Sequence, residues 1–132
     1  MSRLPRHLEY LKTGFTAEAV SAARFRAYAA RAEHEGLPNL AQHWRTLAAA
    51  KDALAIAQLE AAGQVRGAAA DLGAALAEEN YENDVLYPKM IRDAEGDAAA
   101  VLQSTVDRQK EHLAALARLR ESWNAARGDV PA

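Results

Sequence analysis

The sequence predicts an all-α protein built as a four-helix bundle, and three observations carry that expectation. Of the 132 residues, 33 are alanine and 15 leucine, whereas valine, isoleucine and threonine together number 12. Alanine and leucine are strong helix formers, and the scarcity of β-branched residues argues against a sandwich, barrel or α/β sheet. Glycine and proline then punctuate the chain into four long segments. The third observation is an internal repeat. Glu18 precedes a Glu35-Gly36 turn at nearly the spacing by which Glu79 precedes Glu95-Gly96. Two copies of one helical hairpin make a four-helix bundle.

The first helix is predicted from Thr16, a candidate N-cap, to Glu35, with Leu8–Leu11 as a separate lead-in turn. The second begins at Pro38 and stops near Gly63, leaving GQVRGAAA as a connector. The third runs from an Asp71 cap to Glu95. The fourth runs from an Asp97 cap to just before Gly128. One domain is expected over residues 1–132, with its core at about 14–126.

Composition excludes several function classes. Without cysteine there is no disulfide framework, thiol nucleophile or thiolate metal site. A net charge of −2 gives no electrostatic footprint for nucleic acid or anionic lipid. No apolar run has the length of a membrane helix, and MSRLPRHLEYLKTG does not read as a secretion signal. The expectation is a cytoplasmic protein without nucleic-acid or membrane partners.

Core-facing stripes follow steps of three and four residues. They read Leu11, Phe15, Glu18, Ala22, Phe25, Ala29 on the first helix and Leu40, Trp44, Leu47, Lys51, Leu54, Gln58 on the second. The third reads Leu72, Leu76, Glu79, Glu82, Leu86, Met90, and the fourth Leu102, Thr105, Gln109, His112, Leu116, Leu119, Trp123. Each stripe is apolar except near its middle, where Glu18, Lys51, Glu79 with Glu82, and Gln109 with His112 intrude. These six are expected to form one polar layer. Such a layer persists when its members pair, hydrogen-bond or bind a cation. Three carboxylates and an imidazole suit a divalent transition metal. Against that stand blander readings: an exposed face for the glutamates, a Lys51 that snorkels outward, and a core His112 donating to a carboxylate. His7, His34 and His43 read as surface residues, and the aromatic stripe positions as packing.

Glu79-Asn80-Tyr81-Glu82, followed by Tyr87-Pro88, gives the layout a specific likeness. With the Glu18-to-Gly36 spacing, it resembles the rubrerythrin branch of the ferritin-like superfamily over about residues 14–125. The resemblance implies a ferritin-like four-helix bundle and an oxidoreductase class that reduces peroxide or oxidises iron. It carries over Glu18, Glu79, Glu82 and His112 as metal ligands. It also marks departures. The second-helix ligand pair is replaced by Lys51 and Leu54, the fourth-helix carboxylate by Gln109, a weak ligand, and a customary tyrosine by Phe25. The cysteine-based rubredoxin module of full-length rubrerythrins is missing. The depleted set implies at most one iron or manganese ion per bundle. The alternative is a metal-free, non-catalytic scaffold or partner-binding module, in which a Lys–Glu–His ion-pair network replaces the metals.

The connector adds an expectation about assembly. Residues 63–70 extend to about 26 Å. The stretch of bundle that they must retrace measures roughly 28 Å at 1.5 Å per helical residue. A homodimer is therefore expected, with helical hairpins exchanged between chains as one form of it. Early unwinding near Gln58, or an up-down-up-down order, would relieve the same strain.

Overall fold

The computed structural model describes residues 5–126 and 128–132, so part of the N-terminal stretch read for a secretion signal lies outside the described residues. Among the described residues every regular element is helical: α1 (Arg6–His34), α2 (Pro38–Ala61), α3 (Ala68–Tyr81), a π-helical turn (Glu82–Leu86), α4 (Tyr87–Asp93) and α5 (Gly96–Ala125). None of these helices is long and apolar enough to cross a membrane. The chain divides into two compact units, Met1–Val65 and Arg66–Ala132.

In the first unit α1 and α2 pack along each other, joined by a tight turn. α1 is longer than expected, because it runs unbroken from Arg6 through the predicted lead-in turn. Thr16 is consequently no cap; its hydroxyl donates back to the Lys12 carbonyl at 3.0 Å. Gly14 inside this helix admits a neighbour. The Gln58 Oε1 atom occupies the place where a Cβ on Gly14 would stand. The helix ends in a Schellman motif, with Leu37 N–H donating to Ala32 O (2.8 Å) and Gly36 N–H to Glu33 O (3.0 Å). Gly36 adopts φ 77° there, a conformation that a side chain disfavours.

The seam of this hairpin is made of alanine. Ala22, Ala29 and Ala32 on α1, and Ala41, Ala48 and Ala55 on α2, are its buried residues. The last three recur every seven residues, the spacing that keeps one seam facing a partner helix. Methyl-sized side chains let two helices approach to roughly 8 Å, the short end of the usual range. This shifts the contact line by one position from the leucine stripe, and Leu40, Leu47 and Leu54 remain 46%, 49% and 50% exposed. Near the turn, Phe25, Tyr28 and Trp44 stack beside the seam, with Trp44 5.1 Å from each of the other two ring centroids. Phe25 and Trp44 pack at their stripe positions, whereas Tyr28, which no stripe included, is 46% exposed.

In the second unit α3, the π-turn and α4 succeed one another without a break and pack against α5. α3 begins at Ala68, earlier than the Asp71 cap predicted. Asp71 still serves the helix start, because its carboxylate accepts the backbone N–H groups of Arg66 (3.0 Å) and Gly67 (3.2 Å). The π-turn is the main departure from the uniform helix expected through residue 95. Its cause lies just beyond it: Pro88 has no N–H, and its ring would clash with the carbonyl four residues back in a regular α-helix. A widened turn absorbs that conflict without ending the helix.

Between α2 and α3 lie residues 62–67, fewer than the eight expected. They extend to about 20 Å at most.

Candidate functional site

Glu18 and Lys51 belong to the first unit, where Lys51 lies three residues after the buried Ala48 and four before the buried Ala55, on the same side of α2. The Lys51 Nζ lies 2.9 Å from Glu18 Oε2, and the two side chains are 32% and 22% exposed. A half-buried pair at this distance is an ion pair that water screens only in part, without the alignment of a hydrogen bond, since Glu18 Oε2 accepts none. Asp52, the next residue, is bound on the outer surface by Arg26 at 2.7 Å. Leu54, at the second lost ligand position, is half exposed and contributes no donor atom.

The second unit holds the other four residues. Glu79 sits near the end of α3 and Glu82 opens the π-turn, three residues on and so on the same side of the helix. Gln109 and His112 face them from α5 with the same spacing. Gln109 Nε2 donates to Glu82 Oε1 at 3.2 Å. His112 Nδ1 stands 4.0 Å from Glu79 Oε2, beyond hydrogen-bond range, and its side chain is 62% exposed. The sequence-based expectation of a buried layer therefore needs correcting at His112, which lies at the surface, and in degree elsewhere, since Glu18, Lys51, Glu79, Glu82 and Gln109 are half-buried. His7, His34 and His43 are exposed, as the stripes imply.

Glu79 and Glu82 have no lysine or arginine partner among the described residues. Glu79 Oε2 and Gln109 Oε1 are shielded from solvent and accept no hydrogen bond. A shielded carboxylate oxygen that accepts nothing, on the same helical side as a second carboxylate, is an environment that suits a cation. Among the described residues, however, no three histidine, aspartate or glutamate side chains are grouped closely enough to hold a metal ion. Acids and imidazole alone therefore do not compose a complete site.

Sequence reasoning missed Asn83. It is the one buried polar residue among those described, 8% exposed, and neither its Oδ1 nor its Nδ2 has a partner. It follows Glu82 within the π-turn and Glu79 by four residues. The signal that could have found it is its spacing, four residues after Glu79 and three before Leu86, together with Pro88, which calls for a widened turn at this point. Comparison with known proteins adds no guide to these residues: no family model and no curated protein matches the chain.

Proposed function

We propose that this chain is a rubrerythrin-like, ferritin-like protein that binds at most one iron or manganese ion through its second unit. The supporting observation is the pair Glu79 and Glu82, set opposite α5 with no cationic partner among the described residues and with a shielded Glu79 oxygen that accepts nothing. A bound redox-active ion would supply the electron exchange needed for peroxide reduction or iron oxidation. The chain's own part is to hold it: Glu79 and Glu82 provide charge and Gln109 fixes the Glu82 carboxylate, while His112, mostly exposed and 4.0 Å from Glu79, stands outside the set. Metal analysis after expression in iron- and manganese-supplemented medium tests this reading. The expected result is up to one ion per chain, abolished by Glu82→Ala. Two irons with an oxo-bridge absorption band would overturn it.

A second reading is favoured by the Lys51–Glu18 contact at 2.9 Å, which engages one of the expected ligands with an ammonium group. Here the chain is a non-catalytic scaffold working as a homodimer, with hairpins exchanged between copies. The short link at residues 62–67 supports the exchange: it reaches about 20 Å, less than the link expected from the sequence, and a ferritin order within one chain calls for a longer one. This reading expects almost no bound metal and a dimer mass by light scattering. A monomer at high micromolar concentration removes it, and inserting about ten Gly/Ser residues in the link should release monomers from an exchanged dimer.

A further inference from the structure

We infer that the π-turn builds an oxygen-only site for a hard divalent cation, in which Asn83 and Gln109 join Glu79 and Glu82. The inference rests on the metal-binding reading and narrows it to a ligand set and a class of ion. The argument begins with cost. An amide shielded from water with no hydrogen bond forfeits the bonds that water would give it, and Asn83 lacks a partner for both its Oδ1 and its Nδ2. The same segment carries a π-helical turn, a geometry that turns up frequently at functional sites. Two local irregularities thus coincide within one turn of the two unpaired carboxylates.

The orphaned atoms say what is missing. Among the described residues of the second unit, Glu79 Oε2, Asn83 Oδ1 and Gln109 Oε1 are buried acceptors without a partner, and Asn83 Nδ2 is the one such donor. Glu79 lies three residues before Glu82 and four before Asn83, which sets the three on one helical side, and Gln109 is tied to Glu82 by its hydrogen bond. A ligand that satisfies several oxygens beside two negative charges is a cation. Carboxylate and amide oxygens select hard ions such as Mn²⁺, Mg²⁺ and Ca²⁺ over ions that favour imidazole. The imidazole is set apart, since His112 is mostly exposed and 4.0 Å from Glu79. The amide oxygens also account for why acids and histidine alone fall short of a site.

Titration of the full chain with Mn²⁺, followed by its magnetic-resonance signal, tests the inference on Asn83→Leu, Asn83→Asp and His112→Ala. Far-UV circular dichroism and melting without metal verify that each variant is folded. N83L should weaken Mn²⁺ binding tenfold or more, because it deletes an oxygen donor. It should also raise the melting temperature of the metal-free protein, because it removes an unsatisfied buried amide. N83D should tighten binding, and H112A should leave it unchanged. If N83L and N83D both bind like the parent, or if H112A weakens binding tenfold, the oxygen-only site is wrong while a metal-binding function stands. Binding of Fe²⁺ or Zn²⁺ without Mn²⁺ has the same meaning. Failure of every ion to bind the parent chain overturns the metal-binding reading, and this inference with it.

Discussion

Replacing Ala41 with leucine should lower the melting temperature by on the order of 10 °C, the largest effect expected of any conservative change in the first unit. Ala41 is 0% exposed and clusters with Ala29 and Ala32, with Trp44 against them. Three added carbon atoms find no space between helices held close by methyl groups. Relief demands that α1 and α2 move apart, which loosens the neighbouring alanine contacts as well. Overpacking of this kind costs roughly 1–3 kcal/mol. Ala50→Leu is the matched control: the same substitution at an exposed position of α2 should stay within about 0.5 kcal/mol. Equal melting of the two variants would show that the seam is looser than its burial indicates.

Lys51→Glu should produce the largest electrostatic loss. It sets a carboxylate against Glu18 where an ammonium now lies at 2.9 Å, in surroundings only partly open to water. Exposed pairs contribute up to about 1 kcal/mol and broken buried pairs about 3–5, so a half-buried reversal should cost roughly 2–3 kcal/mol. Lys51→Met keeps much of the side-chain packing and removes only the charge, so it should fall between parent and reversal. That ordering, measured by denaturant unfolding in a chelating buffer, separates charge from packing. Added salt should recover part of the K51E loss by screening the repulsion. If K51E and K51M are equally stable, the charge of residue 51 is immaterial. If K51E also gains iron affinity, the position regains the ligand character that the resemblance assigns to it.

Helix punctuation was legible because it is local chemistry. Gly36 supplies the left-handed turn, Pro38 opens α2, and residues 62–67 fall where glycine and polar residues interrupt the pattern. The polar positions of the stripes were legible too: Lys51 meets Glu18 and Gln109 meets Glu82, each pair across one hairpin. Thr16 misled because a hydroxyl that can cap a helix can equally bond back to the preceding turn inside one. The alanine seam was hidden by the weight that hydrophobicity gives to leucine, although close approach of two helices favours the smallest side chains. The π-turn escaped because a period of 3.6 continues plausibly through Glu82–Leu86, and the phase change shows only once Pro88 is asked where its missing N–H would have bonded. Asn83 went with it. Four residues after Glu79 and three before Leu86, it lies on the stripe's side of the helix, and taking Glu82 for that step hid it.

The alanine seam has a thermal consequence. Heat capacity on unfolding scales chiefly with the apolar surface newly wetted, and a methyl group offers far less of it than a leucine or phenylalanine side chain. A hairpin closed by Ala22, Ala29, Ala41, Ala48 and Ala55 therefore has a shallow dependence of stability on temperature. Its cohesion comes from backbone hydrogen bonds and close dispersion contacts rather than from an entropic release of water. Cooling weakens such a contact less than it weakens an oily core, so the first unit is built to keep its geometry over a broad range of temperature at a modest maximum stability.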